Sequence, residues 1–297
     1  MQKNYAKGNK PFFYDFISLV KKCFKWYNIN GDGMKKRVIS AIVALIIVIP
    51  LIILGGYPYY IGVGIVSIIG FKEMLSVREK EKKIPFIMKA ISMIAYIAIV
   101  MSAIKTFNIF NIDYKLLILG IFACLIPLIA MEKRKYDAED ALFLLAIVLF
   151  LGISFNFLIV IRNISLYYLL YVVIVTTMSD TFAHFWGSKI GRIKLCPNVS
   201  PNKTVEGMVG GTIFGTFLAG AFFLTFINTN ANIFLVGVIS LALSLVAQFG
   251  DLVFSAIKRR YGVKDYGNIM PGHGGVLDRL DSIIFSVLAF SYLVSFF

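Results

Sequence analysis

The chain has 297 residues, 59% of them hydrophobic and only 15% charged, against roughly 45–50% and about 25% in an ordinary soluble domain. A water-soluble fold of this composition would leave large apolar areas facing solvent, which argues against a soluble globular enzyme and excludes disordered and collagen-like chains. The 30 Lys and Arg against 16 Asp and Glu leave a net charge of +14, but so sparse a charge cannot coat a surface that tracks phosphates. The composition therefore points to a polytopic membrane protein with its basic residues on one side of the bilayer, not to a nucleic-acid binder.

Residues 1–37 form a basic arm. Phe12, Phe13, Phe16, Leu19, Val20, Cys23, Phe24 and Tyr27 recur at helical spacing with Lys21, Lys22 and Lys25 between them. That pattern predicts an amphipathic helix, lying on anionic headgroups or packed against the cytoplasmic ends of a bundle. It is not a cleaved secretory signal, because the first apolar run starts late and is followed by more. Uncharged runs then follow at Val38 to Leu54, Tyr57 to Phe71, Ile84 to Ile104, Leu116 to Met131, Ala141 to Ile161, Leu166 to Met178, Met208 to Ile227, Ile233 to Phe249 and Ile283 to Phe297. Against the roughly 20 residues that a spanning helix needs, these predict an all-α polytopic integral membrane protein with about nine transmembrane helices. The second, sixth and ninth runs are short and must tilt, lean on partners or borrow flanking residues.

With the N-terminus in the cytoplasm, only Lys105, Lys115 and Arg162 of the 30 basic residues fall outside. This is a strong positive-inside asymmetry. Asp113 is the single acid outside. Topology does not demand that second sorting, so the inner concentration of carboxylates requires ion pairing or chemistry. Three regions result: a cytoplasmic arm over 1–37, N-terminal membrane helices over 38–178, and a C-terminal catalytic membrane domain over 179–297. The cysteines Cys23, Cys124 and Cys196 are odd in number and widely spaced, which gives neither a disulfide framework nor a zinc site.

Two inward loops, 179–206 and 251–282, are long and polar, and long loops are where function concentrates. If the helix ending near Phe249 continues, Asp251, Ser255, Lys258 and Arg259 share one face, while Arg260 points away. On the next helix Asp278 and Asp281 are three residues apart and project together, with Arg279 between them. Between these helices Pro271-Gly272-His273-Gly274-Gly275 lets backbone approach a ligand and leads into a helix N-terminus suited to an anion. Carboxylates beside phosphate-binding bases point to a hard divalent cation shared with substrate phosphates. In the first loop, Ser200-Pro201 has the form of an N-cap followed by a first-turn proline. A helix starting there would offer its amides, Lys203 and the Thr204 hydroxyl to an anion. Gly207, Gly211 and Gly215 repeat every fourth residue, the stripe of a close helix crossing. His273 is expected to contact phosphate. Asp180 and His184 are given no role.

The stretch Ser255 to Asp281 resembles the signature of phosphatidate cytidylyltransferases, also called CDP-diacylglycerol synthases. It carries S-x-x-K-R at Ser255, Lys258 and Arg259, K-D at Lys264-Asp265, P-G-H-G-G at Pro271 to Gly275, and D-R-x-D at Asp278 to Asp281. Ser200 to Gly207 is similar to the family's S-P-x-K-T-x-E-G segment. Where the family usually has Ala-Tyr and then Gly-Arg, this chain has Ala183-His184 and Gly187-Ser188. The resemblance implies transfer of a cytidylyl group from CTP to phosphatidate with Mg2+, a second cation being left open. It implies that Asp251, Asp278 and Asp281 serve as metal ligands, that Lys258, Arg259 and Arg279 neutralise phosphates, and that Ser200, Lys203, Thr204, Ser255, Lys264, His273, Gly274 and Gly275 bind them. CTP, phosphatidate and membrane lipids are the expected partners, nucleic acid is not, and a homodimer is allowed. The compact length fits a bacterial inner membrane, with active site and N-terminus cytoplasmic. A CTP-dependent polyprenol or lipid-alcohol kinase shares the substrate logic. A transporter would instead need ionisable residues at mid-bilayer, whereas the charges here fall at the ends of runs.

Overall fold

A computed structural model of the chain describes residues 33–105, 114–130, 135–270 and 274–296. The amphipathic arm expected over Phe12 to Tyr27 lies outside the described residues, as does His273. The helices are α1 (Gly33–Leu54), α2 (Gly56–Arg78), α3 (Phe86–Ser102), α4 (Tyr114–Leu125), α5 (Pro127–Ala130), α6 (Ala138–Ala146), α7 (Gly152–Ile164), α8 (Leu166–Ile190), α9 (Val205–Phe226), α10 (Ile233–Arg260) and α11 (Leu277–Leu293). A π-helical segment, Ile147–Leu151, joins α6 to α7. Strands β1 (Lys194–Cys196) and β2 (Ser200–Thr204) form one antiparallel ribbon.

Among the described residues every apolar run of the sequence is carried by helix, but the runs are unequal. Among the described residues five helices are long and apolar enough to cross a membrane: Gly56–Arg78, Ala138–Ile164, Leu166–Ile190, Val205–Phe226 and Ile233–Arg260. The apolar stretches Ile42–Leu54, Phe86–Ser102 and Tyr114–Ile129 are shorter. Side chains such as Ile129, Phe217 and Phe234 stand exposed, an arrangement that hydrocarbon tolerates and water does not.

Two of the short runs are lengthened by polar helix. α2 continues through Lys72 and Glu73 to Arg78, and α8 continues through Asp180 to Ile190. The expected loop 179–206 therefore reduces to Gly191 and the β ribbon. A helix does not stop where the chain turns polar, because its backbone bonds are made internally; only the apolar run stops there.

One end of the bundle is locked by ions. The Arg78 guanidinium donates to Asp140 at 2.9 Å, and Lys82 Nζ lies 2.7 Å from both Asp137 and Asp140. Asp137 also caps α6 in a capping box with Asp140. Glu81 continues the network to Arg260 on α10, at 3.2 Å. At the other end Arg162 donates to the carbonyls of Ile52 and Ile53, satisfying the last turn of α1.

In the C-terminal half α8 and α9 cross closely. A Cβ at Gly211 would come within 2.5 Å of the Ser179 carbonyl, and one at Gly215 would collide with the Ser179 hydroxyl, so the small-residue stripe sets the crossing distance. Hydroxyls and one amide then bridge α8, α9 and α10: Tyr171 Oη to Ser240 Oγ at 2.7 Å, Ser179 Oγ to Ser244 Oγ at 2.6 Å, and Gln248 Nε2 to Thr212 Oγ1 at 2.9 Å. Such bonds hold helices together where the hydrophobic effect has no purchase. Between α1, α2, α7, α8 and α11 lies a cavity of about 570 Å3 with an almost wholly apolar lining that includes Leu51, Val66, Leu158, Leu280 and Ile283.

Candidate active site

α10 is a single 28-residue helix, so its 3.6-residue period brings Asp251, Ser255, Lys258 and Arg259 to one side as expected. Ser255 Oγ donates to Asp251 Oδ1 at 3.3 Å. The other oxygen, Asp251 Oδ2, pairs with Lys203 Nζ at 2.7 Å, and the same ammonium reaches the Gln248 carbonyl at 3.3 Å.

Lys203 arrives on a strand, not on the helix start expected at Ser200-Pro201. Lys194 pairs with Thr204 and Cys196 with Ser200. Pro201 has no amide to give and sits in a two-stranded ribbon, where one edge is always unpaired. The helix begins four residues later at Val205. Its cap is Thr204, which is buried and accepts from the Gly207 amide at 3.2 Å, so the Thr204 hydroxyl serves the helix. Arg259 Nε donates to the Val199 carbonyl at 3.2 Å and pins the ribbon's turn to α10. Arg260 faces Glu81, away from the site.

A second ion pair lies beside the first. Lys258 Nζ is 2.8 Å from Asp278 Oδ1, with side chains only 12% and 5% exposed. The ammonium also stands 5.4 Å from the centre of the Tyr266 ring. Asp278 Oδ2 accepts the amides of Tyr266 at 2.8 Å and Gly275 at 2.9 Å. Both Asp278 oxygens are thus engaged by protein donors, and the Gly275 amide, expected to face phosphate, is engaged by Asp278. Gly274 has a φ of +84°, and a Cβ there would come within 2.9 Å of Asp278 Oδ2, so this turn requires glycine. Tyr266 Oη donates to the Phe254 carbonyl at 2.9 Å. Burial, with the nearby charges of Asp278 and Asp281, pushes the Tyr266 phenol well above its ordinary range and keeps it a neutral donor.

Asp281 is buried at 9% exposure, one turn along α11, and its Oδ1 accepts the Ser282 amide at 2.8 Å. It feels the charges of Asp251, Lys258 and Asp180. Asp180, given no role above, belongs to this cluster: its Oδ2 accepts from Ser282 Oγ at 3.0 Å, and it also feels Asp251 and Lys203. The signal for it was weak, a lone acid two residues past the apolar run ending at Met178. Lys264, Asp265 and Arg279 are exposed on the same loop and first turn, and His184 is exposed on α8.

Three carboxylates, Asp180, Asp251 and Asp281, thus converge from α8, α10 and α11, with Lys203 and Lys258 beside them. Among the described residues no group of three or more acids, histidines or cysteines is arranged to hold a metal ion by itself, so a cation here would depend on substrate and water for most of its ligands. An open set of hard oxygen donors suits Mg2+, which takes one or two carboxylates and completes its octahedron with water and substrate phosphates. The two lysines are each held by a carboxylate.

Residues 35–297 match the model of the cytidylyltransferase family. Over 253 residues, 85% of this chain, it is 38% identical to the phosphatidate cytidylyltransferases of Staphylococcus haemolyticus and Staphylococcus aureus strain COL, covering 95% of each. The corresponding protein of Staphylococcus epidermidis is 36% identical over the same length. With both lysine–carboxylate pairs lying within the matched region, the chain belongs to the cytidylyltransferase family.

Proposed function

We propose that the chain transfers a cytidylyl group from CTP to phosphatidate, giving CDP-diacylglycerol and pyrophosphate. The observation that carries this reading is the pairing of Lys203 with Asp251 and Lys258 with Asp278 at one site, in a chain related over most of its length to proteins named for that reaction. A phosphate oxygen of the lipid attacks the α-phosphorus of CTP; a P–O bond forms there, and the bond from that phosphorus to the bridging oxygen breaks, releasing pyrophosphate. The nucleophile is already ionised, so no strong general base is needed, and positioning with charge neutralisation dominates. Bringing one phosphate onto a triphosphate is opposed chiefly by like charge. Lys203 and Lys258 offset it, each keeping its carboxylate partner and turning its remaining N–H donors to phosphate oxygens, with Arg259 and Arg279 at the rim.

Asp251 and Asp281, with Asp180 beside them, are the residues that would hold Mg2+; Asp278 instead anchors Lys258. The cation when bound would supply charge neutralisation on the triphosphate. The nine apolar runs are read as traversing the bilayer, with the N-terminus and the site on the cytoplasmic side of a bacterial inner membrane. Supporting this, Arg162 sits at the opposite end of the bundle from the Arg78–Lys82 network. The apolar cavity bordered by Leu280 and Ile283, on the helix that carries Asp281, offers hydrocarbon space for a lipid tail.

The test is label transfer. Purified protein is given phosphatidate and CTP labelled at the α or the γ phosphate. Label from the α position in the lipid is expected. Label from the γ position would make the chain a kinase, and none from either would remove the enzymatic reading.

A further inference from the structure

The start of α11 is held by a side chain from the other half of the molecule. Glu73 lies near the end of α2 and is 5% exposed. Its Oε1 accepts the Val276 amide at 2.9 Å, and its Oε2 accepts the Leu277 amide at 2.9 Å. These are orphan donors of a helix start, and a carboxylate meets both their hydrogen-bonding capacity and the positive end of the helix dipole. The site loop closes tightly over it. A Cβ at Gly275 would come within 2.6 Å of both Glu73 oxygens, and one at Gly267 within 2.5 Å of Oε1.

The clamp falls immediately before the residues that matter. Gly275 donates to Asp278, Asp278 holds Lys258, and Asp281 follows one turn later. We propose that Glu73 is a positioning residue for the transfer reaction. It fixes the first turn of α11 so that Asp278, and through it Lys258, and Asp281 keep their places opposite Asp251. Glu73 touches no reacting group. It acts through the Val276 and Leu277 amides, and its role in catalysis rests on the cytidylyl-transfer reading above.

Glu73→Gln keeps the size but can accept only one of the two amides, its own NH2 turning toward the other. The experiment uses full-length protein in detergent, with three readouts: the folded fraction by size exclusion and thermal unfolding, kcat and KM for α-labelled CTP, and affinity for Mn2+ alone by electron paramagnetic resonance. Expected are a folded protein, a kcat lower by on the order of 10- to 100-fold, as for a misplacement of about 1 Å, and Mn2+ affinity weakened by about threefold or more because Asp281 shifts. A purely structural role would lower the folded fraction and leave kcat and Mn2+ affinity per folded molecule within about twofold of the native chain, which overturns the proposal. Should Glu73→Gln not fold, Gly275→Ala pushes on the same carboxylate without removing it, and the same outcomes apply. If the native chain transfers no label, the function reading fails, while the Mn2+ readout still tests the clamp.

Discussion

At the scale of the residue, the carboxylates of the site differ in how fully protein donors occupy them. Asp278 has an ammonium on one oxygen and two amides on the other, Asp251 has the Lys203 ammonium on one and a longer Ser255 contact on the other, and Asp281 accepts the Ser282 amide on one oxygen; on the proposed reading Asp251 and Asp281 are the ones that would take the cation. Asp251→Asn and Asp281→Asn are expected to lower kcat by on the order of 10²–10³-fold, the scale of losing preorganised charge stabilisation, and to raise the Mg2+ concentration needed for half-maximal rate. Asp278→Asn should behave differently. Its remaining oxygen can still accept the Tyr266 and Gly275 amides, so α11 stays in place, but Lys258 loses its partner. Turnover should fall by on the order of 10–100-fold while the Mg2+ half-saturation stays within about twofold. Titrating Mg2+ against initial rate for the three variants checks this; a Mg2+ requirement that moves with Asp278→Asn would make Asp278 a cation ligand instead. The Asp251, Ser255, Lys258 and Arg259 face was legible in the sequence because one helix and its period suffice to define it. The pairing of Lys203 with Asp251 was not, since the two are 48 positions apart with α9 between them and Lys203 is presented by a ribbon that the local sequence does not announce. Glu73 was less legible still: its partners lie 203 and 204 residues away, and no local pattern marks it.

At the scale of the element, the boundaries of apolar runs were readable and the boundaries of helices were not. Lysines and acids at the ends of α2 and α8 ended the runs while the helices continued, and this carried Glu73 and Asp180 into the structure. Ser200-Pro201 read as a helix start because its local chemistry fits one. Pairing with Lys194–Cys196 prevailed, and the ribbon, too small to be stable alone, is held by Lys203 on Asp251 and Arg259 on Val199. The lock between α2 and α6 has its own energetics. Asp140 has no exposed side-chain surface and depends on Arg78 and Lys82. Arg78→Met leaves it partly uncompensated and should destabilise the protein by about 3 kcal/mol, the lower end for breaking a buried pair, because Lys82 remains. Adding Asp140→Leu should recover most of the loss in denaturant unfolding. The pair's pH behaviour follows from its partners. The Lys82 hydrogen bond holds the Asp137 carboxyl below its ordinary range; this stabilisation is present above the unfolded value and is lost as pH falls through the folded one. Hydrogen bonds from Lys82 to Asp137 and then Asp140 raise the Lys82 ammonium; that contribution is complete below the unfolded value and is lost only as pH rises through the folded one. The Lys82→Met variant should therefore differ from the native chain by a constant offset in melting temperature between about pH 5 and 9, with the gap closing in stronger acid. An offset that varies across the neutral range would show that another group governs the lock.

At the scale of the whole molecule, the two halves meet at the helix bearing Asp278 and Asp281. One side of α11 turns those carboxylates toward α10; another, through Leu280 and Ile283, borders the apolar cavity walled also by Val66 on α2 and Leu158 on α7. Its volume of about 570 Å3 lies within the roughly 300–1,000 Å3 of small-molecule sites, and its lining offers almost nothing to a polar group. Leu280 and Ile283 border the cavity on the same helix that carries Asp278 and Asp281, so on the proposed reading a lipid tail would occupy this space while its phosphate meets the site. Val66→Trp places a large ring in that space without touching the ion pairs. Dioleoyl and dioctanoyl phosphatidate, each dispersed in the same detergent, then separate the contributions. The native chain should favour the long-chain lipid in kcat/KM, since each buried methylene is worth about 0.8 kcal/mol. The variant should lose about tenfold or more on the long chain, equivalent to roughly two methylenes, and change by less than about twofold on the short one. Equal losses on both lipids would mean that the ring disturbs α11 itself, and no loss on either would mean that the tail lies elsewhere. The first pattern alone joins the N-terminal helices to substrate recognition, and it explains why a chain whose chemistry is carried by its last third keeps α1, α2 and α7 packed against it.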